Sequence, residues 1–332
     1  MPLKIIRNDI TKVKADIIVN SANPKPVYAN GTDAAIYEAA GKEQLLAERK
    51  QIGNIEVGNI AVTHAFKLPA KYIIHTAGPD WQGGNSDEFV LLKSCYSKSL
   101  QKALELGAKS IAFPLVSTGV YQFPRDKALQ TAIMAISEFL FQNDMLVILV
   151  VFDKKSFELS GKLFQDVDEY IDEYDVADMA VREYQHNRME ENYKNAVSGM
   201  MPGILYNEKK KDLNGIIENH GDTFQECLLK FIARSGMSDP EVYKKANIDR
   251  KLFSKIRCNV NYTPRKKTVL AFAVALGLDL KETNILLKSA GLSFSPGSKF
   301  DLITEYFIKR KIYNINTINL ALFEHGQQTL GA

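Results

Sequence analysis

Short apolar runs rich in β-branched residues, each followed by a stretch patterned for helix, recur through residues 1–164, and this alternation restricts the fold more than any other feature. ADIIVN (15–20), NIAVTHAF (59–66), KYIIHTAG (71–78), SIAFPLVST (110–118) and MLVILVVFD (145–153) read as strands, the last being the most hydrophobic run in the chain. Between them, Ala34, Ala35, Ile36, Ala39 and Ala40 fall at helical spacing and are closed by Gly41. Residues 88–107 form a long amphipathic pattern ended by Gly107, and 126–142 are helical again. Strands that are apolar on both faces need cover on both faces. This half therefore predicts an α/β three-layer domain, a mixed sheet with helices on either side.

At about 100–200 residues per domain, a chain of 332 residues has room for a second unit. Residues 165–220 carry 6 Lys and Arg against 13 Asp and Glu, whereas 221–332 carry 17 against 10. The acidic interval is polar and helical in pattern, then gives way to Gly, Pro and a lysine triplet. From 222 to 325 the pattern is helical throughout, with candidate starts at Asp222, Ser238, Asp249, Pro264, Asp279 and Asn316, and candidate stops at Gly236, Gly277 and Gly291. The expected division is 1–172 for the α/β domain, 173–220 for an acidic linker, and 221–332 for a basic all-helical domain.

Three widely spaced cysteines, Cys95, Cys227 and Cys258, show neither disulfide nor metal-ligand spacing. The first twenty residues are too charged for a secretion signal, and no apolar run approaches the roughly 18 residues of a membrane span. A soluble cytoplasmic protein without a membrane partner or a bound metal is expected.

Four segments place Gly, Asn, Ser or Thr near predicted strands: NDIT (8–11), NSAN (20–23) running on to NGTDAAIYEAAG (30–41), HTAGP (75–79), and PLVSTGVYQFP (114–124). Ligands of open α/β sheets bind beyond the carboxyl ends of the strands. Two glycine-containing loops each lead into a helix start, where free backbone N–H groups favour phosphate, and two such loops suit a diphosphate. Taken singly, the residues have structural alternatives. Asp9 could cap the next turn, Asn23 could form a turn before Pro24, Asp33 could cap a helix, Phe152 could be core, and Tyr121 could be an exposed loop aromatic.

Taken together, the four segments resemble the macrodomain family, over about residues 1–172, and the MacroD type in particular. The resemblance implies ADP-ribose as ligand, with no other cofactor. It implies that Asp9, with Ile10 beside it, meets adenine; that Asn23 holds the distal ribose; and that Gly31, Thr32 and Asp33 close the first phosphate loop. It also implies that Ser117, Thr118, Gly119, Val120 and Tyr121 cradle the diphosphate and that Phe152 lies against adenine. The sequence departs from the family at Tyr28, Ala29 and Asn30, where glycines are usual, and at Asn8 and Gln122. Side chains at 28–30 are expected to crowd the loop around the distal ribose. His64 and His75 receive no role.

MacroD-type members remove mono-ADP-ribose from acidic side chains. On that resemblance Asn23 would fix the ribose hydroxyls and Asp33 would orient or help to activate a water. The alternative is a reader that binds ADP-ribose or a mono-ADP-ribosylated protein without turnover.

Residues 238–259 read as helix, turn and helix, the turn at Asn247, Ile248 and Asp249, with Val242, Ala246, Ile248, Leu252, Phe253 and Ile256 spaced to pack the two together. With two apolar helices following in 267–292, the order resembles a Cro/C1-type, Xre-like helix-turn-helix domain. That implies DNA as partner, with Arg250, Lys251, Ser254, Lys255 and Arg257 toward phosphates or base edges, and Arg265, Lys266 and Lys267 on the backbone. A solvated helical surface used for protein interaction is the alternative.

Overall fold

The computed structural model describes residues 2–28, 30–151, 167, 170, 171 and 222–331. The expected linker, 173–220, and Phe152 lie outside them.

Six strands form one mixed sheet: β1 (Leu3–Arg7), β2 (Ile17–Ser21), β3 (Ile60–His64), β4 (Tyr72–Thr76), β5 (Ser110–Pro114) and β6 (Leu146–Val151), in the order β1-β6-β5-β2-β4-β3. All neighbours are parallel except β3 and β4. β2, β5 and β6, whose apolar residues are buried on both faces, lie inside the sheet, as that burial requires.

Alternation within β2 shows how the layers form. Ile17 and Val19 face one side, where they pack with α3 (Glu88–Glu105) and α4 (Arg125–Gln142). Ile18 faces the other side, with Ile36, Tyr37 and Ala40 of α1 (Thr32–Ala40) and Leu45 of α2 (Lys42–Ile52). The expected three-layer arrangement is present. Two elements beyond the sequence reading complete it: β1 at the sheet edge, and α2, which follows α1 directly after Gly41. No described helix is long and apolar enough to cross a membrane.

The C-terminal part is helical, as expected: α5 (Phe224–Ser235), α6 (Asp239–Lys245), α7 (Arg250–Cys258), α8 (Lys266–Ala275), α9 (Leu280–Ser289), α10 (Lys299–Lys309) and α11 (Ile315–Glu324). Capping boxes at Thr223 with Glu226, Ser238 with Glu241 and Asp279 with Glu282 start three of these helices. The start of α5 is at Thr223 rather than Asp222, because Thr223 has the Glu three residues on that closes the box. Likewise α11 starts at Asn314 rather than Asn316, since the Asn314 side chain accepts from the N–H groups of Asn316 and Thr317. Val167 and Ile171 belong to the core of these helices.

The helices also seal the sheet. Leu320 and Phe323 of α11 join the core under α3 and α4, each contributing roughly 1.5–3 kcal/mol if fully buried. Arg7, at the far end of β1, stacks its guanidinium 4.8 Å from the centre of the Phe323 ring. Between α6 and α7, Asn247 adopts a left-handed conformation with φ 54°. Its amide accepts from Leu3 N at 2.8 Å and donates to Leu3 O at 3.0 Å.

Candidate functional site

The carboxyl ends of β6, β5 and β2 open into a cavity of about 540 Å³. Val150 and Val151 form one end of its floor, Pro114 and Leu115 the middle, and Ser21, Ala22 and Asn23 the other end. The rest of the wall is the start of α1, residues 30–33, the loop from Ser117 to Tyr121, and Arg125. The floor therefore runs from apolar at β6 to polar at β2.

Two sets of backbone donors meet over this floor. Gly31 caps α1 with φ 69°, a conformation costly for residues with a side chain, and the first turn of the helix, whose N–H groups have no partner within the helix, lines the cavity. Opposite, the N–H groups of Thr118, Gly119, Val120 and Tyr121 have no intramolecular acceptor among the described residues. This second loop is held under strain. Ser117 and Gln122 take positive φ of 66° and 50°, unusual for residues other than glycine. Gln122 thus adopts the conformation that a glycine would take most readily. A Cβ on Gly78 would come within 2.0 Å of Ser117 Oγ, so the missing side chain at 78 makes room for the loop.

A further loop braces it. The Trp81 N–H donates to Tyr121 O at 2.9 Å. Glu88, buried at the start of α3, accepts from the N–H groups of Gln82 (3.0 Å), Gly84 (2.9 Å) and Ser86 (2.5 Å). Burial opposes its charge, but these donors outweigh it and pull the Glu88 carboxyl down to about 2.

At the β2 end, Asp33 is only 3% exposed. Asn20 Nδ2 donates to Asp33 Oδ1 at 2.5 Å and lies 3.1 Å from His75 Nδ1, while His75 Nε2 is 2.9 Å from Thr63 Oγ1. Burial, with the Arg49 charge adding to it, pushes His75 down to about 3, so the ring is neutral. A neutral ring that accepts from Asn20 at Nδ1 carries its proton on Nε2 and donates to Thr63. Nearby, Tyr37 is pushed up to about 12, first by burial and then by the Asp33 charge.

The predicted residues are distributed as follows. Asn23, Gly31, Thr32, Asp33, Ser117, Thr118, Gly119, Val120 and Tyr121 come together on the cavity wall. Asp33 lies in the first turn of α1, where Gly31 is the cap, so the capping alternative for Asp33 is not realised. The Asn23 side chain accepts from Lys25 N at 2.9 Å, the turn-forming role considered for it, while still facing the cavity. Asp9 accepts from Thr11 N and Oγ1 at 3.0 and 2.7 Å as the cap of a one-turn 3-10 helix, and Ile10 is core. Neither Asp9 nor Ile10 is part of the cavity wall, although the Asn8 N–H donates to Val151 O and so puts Asp9 beside the β6 end. Tyr28 does not crowd the cavity as expected. Its ring packs against Tyr37, centroids 5.7 Å apart, with Lys42 Nζ 4.0 Å from its centre. Asn30 does line the wall.

Asn20, His75 and Arg49 were given no site role by the sequence reading. His75 sits in a strand pattern, Asn20 was read only as part of NSAN, and Arg49 belongs to a charged stretch with the composition of a solvated helix.

The Macro domain family profile matches residues 19–132. A Macro domain-containing protein of Methanosarcina mazei is 45% identical over 156 residues, which are 46% of this chain and 83% of the relative. An O-acetyl-ADP-ribose deacetylase of Citrobacter rodentium is 42% identical over 166 residues, covering 48% of this chain and 94% of the relative. The solved macrodomain of Oceanobacillus iheyensis with ADP is 34% identical with a TM-score of 0.46, over 50% of this chain and 92% of that one. Fold and relatives define an α/β protein of the macrodomain type. The chain belongs to the Macro domain family through its N-terminal half.

In the C-terminal half, α6, the turn at Asn247 and α7 lie where the helix, turn and helix were expected. Arg250, Lys251, Ser254, Lys255 and Arg257 are exposed on α7, and Arg257 pairs with Asp239 at 2.8 Å. Arg265 caps α8, and Lys266 pairs with the buried Asp301 at 2.6 Å. Lys267 is half-buried, and burial together with the nearby cations Arg265 and Lys4 lowers its pKa.

Proposed function

We propose that the cavity over β6, β5 and β2 binds ADP-ribose and that the chain hydrolyses mono-ADP-ribose from acidic side chains of modified proteins. One observation carries this reading: two opposed arrays of backbone N–H groups share a cavity whose floor is apolar at one end and polar at the other. The diphosphate lies between the arrays, where donors fixed by the fold meet its charge without rearrangement. The adenine goes to Val150 and Val151, with Asp9 beyond. The distal ribose goes to Asn23 and Asp33. The relatives named O-acetyl-ADP-ribose deacetylases support ester hydrolysis on ADP-ribose as the reaction class.

Asn23 and the start of α1 orient the ribose, and the Asp33 carboxylate orients a water toward the ester. The water oxygen bonds to the acyl carbon, the bond from that carbon to the ribose oxygen breaks, and the released proton ends on the ribose hydroxyl. The test is release of ADP-ribose from a protein mono-ADP-ribosylated on glutamate. Wild type releases it and Asn23→Ala/Asp33→Ala does not; equal release by both removes the mechanism.

One feature favours a non-catalytic reader as the second reading. Both candidate groups already have partners within the fold, Asp33 with Asn20 and Asn23 with Lys25 N. Binding of ADP-ribose by wild type with no release decides for the reader.

For the helical half we infer an anionic partner, DNA in the helix-turn-helix reading. Arg250, Lys251 and Lys255 share the solvent face of α7 with Ser254, opposite the buried Phe253 and Ile256. Anisotropy of a labelled duplex should show affinity that falls steeply with salt and weakens when all three cations become Ala. Binding that is absent at low salt leaves a protein-interaction surface instead.

A further inference from the structure

Arg49 projects from α2 into the protein and is only 1% exposed. A buried guanidinium is costly unless its donors and its charge are both met. Its donors go to main-chain carbonyls: Gly53 O, Pro24 O at 3.1 Å and Asn23 O at 3.4 Å. Burial pulls the Arg49 pKa down, and the Tyr37 phenol and the Asp33 carboxylate act against that loss. Asn23 and Asp33 both form the wall at the polar end of the cavity, whereas Arg49 stands behind them.

We propose that Arg49 is a positioning residue that fixes the Asn23–Pro24 turn and faces the Asp33 charge, and thereby sets recognition of the distal ribose. This rests on the ADP-ribose reading of the cavity. The guanidinium of arginine spreads five donors over a rigid plane and so spans carbonyls on two segments, whereas lysine offers three donors from a single nitrogen on a flexible stem. None of the Arg49 hydrogen bonds reaches the loop at Ser117–Tyr121, so the effect falls mainly on the Asn23 end of the ligand.

ADP and ADP-ribose separate that end from the rest, because ADP lacks the distal ribose. Both ligands are titrated calorimetrically into wild type, Arg49→Lys and Arg49→Gln, with the melting temperature of each protein measured alongside. Wild type should prefer ADP-ribose. In Arg49→Gln the affinity for ADP-ribose should fall at least about tenfold while that for ADP stays within about twofold, with Arg49→Lys between. Equal weakening of both ligands would make Arg49 a structural residue and overturn the proposal, as would no change in either. Should Arg49→Gln not fold, the same comparison in Arg49→Lys decides. A wild type that binds neither ligand overturns the ADP-ribose reading itself and this inference with it. A wild type that binds both equally overturns only the inference.

Discussion

The side-chain amide of Asn247 pairs with the backbone of Leu3 as a neighbouring strand would, accepting from its N–H at 2.8 Å and donating to its carbonyl at 3.0 Å. Leu3 opens the edge strand of the sheet, so the turn between α6 and α7 covers an edge that would otherwise be free to pair with another chain. Two properties of asparagine serve here: the paired amide and tolerance of positive φ. Asn247→Gly keeps the backbone conformation and loses the amide, and Asn247→Ala loses both. Urea unfolding should show losses of about 1–3 kcal/mol for Gly, with a larger loss for Ala. Equal stability of wild type and Asn247→Gly would mean that the pairing contributes nothing.

His75 should make stability depend on pH. Its folded-state value, about 3, lies below the ordinary 6.5, so the unfolded chain binds the proton more readily. Stability from this group is full above pH 6.5 and falls as pH drops toward 3, by up to about 1.4 kcal/mol per unit. Urea midpoints at pH 7 and pH 5 should differ less in His75→Gln than in wild type. Identical slopes would show that the ring does not carry the effect.

Glu88 acts in the same sense at lower pH. Its carboxyl is depressed from 4.5 to about 2, so the stability it adds is present above pH 4.5 and disappears as pH falls through 2. Trp81 is the single tryptophan of the chain and sits in the loop that Glu88 gathers, its ring 4.8 Å from that of Phe123. Glu88→Gln should therefore red-shift the tryptophan emission at pH 7 and weaken ADP-ribose binding, because Trp81 N–H braces the Tyr121 carbonyl. Unchanged emission and affinity would detach this loop from the site.

Two glycines should respond differently to the same substitution. A Cβ on Gly78 meets Ser117 Oγ at 2.0 Å and Val116 Cγ1 at 2.9 Å, whereas one on Gly119 meets nothing within 4 Å. Gly78→Ala should displace the diphosphate loop and lower the affinity for ADP-ribose at least about tenfold. Gly119→Ala should leave the melting temperature within about 2 °C of wild type. A Gly78→Ala protein with wild-type affinity would contradict the packing described for Ser117.

The strands of the central sheet were legible because β2, β5 and β6 are continuous apolar runs bounded by polar turns. The edge strand β1 was not recognised, since LKIIR is short and its partners are 144 residues away, on β6. Helix α2 was missed because KEQLLAERKQI carries no apolar stripe wide enough to stand out, its buried positions being Leu45 and Arg49. An inward arginine has no local signature, and neither has Asn20, which takes its meaning from Asp33 and His75 across the fold. Tyr28 misled for the converse reason. Its position in the chain implied crowding, but Tyr37 and Lys42 provide a surface that takes the ring away from the cavity.

The central claim is that one cavity, between the start of α1 and the loop from Ser117 to Tyr121, binds ADP-ribose. Calorimetric titration of ADP-ribose into wild type and into Asn23→Ala/Asp33→Ala tests it most directly. A saturable 1:1 isotherm for wild type, weakened in the double variant, is the expected result. The absence of binding by folded wild type, or identical isotherms for the two proteins, would contradict the account.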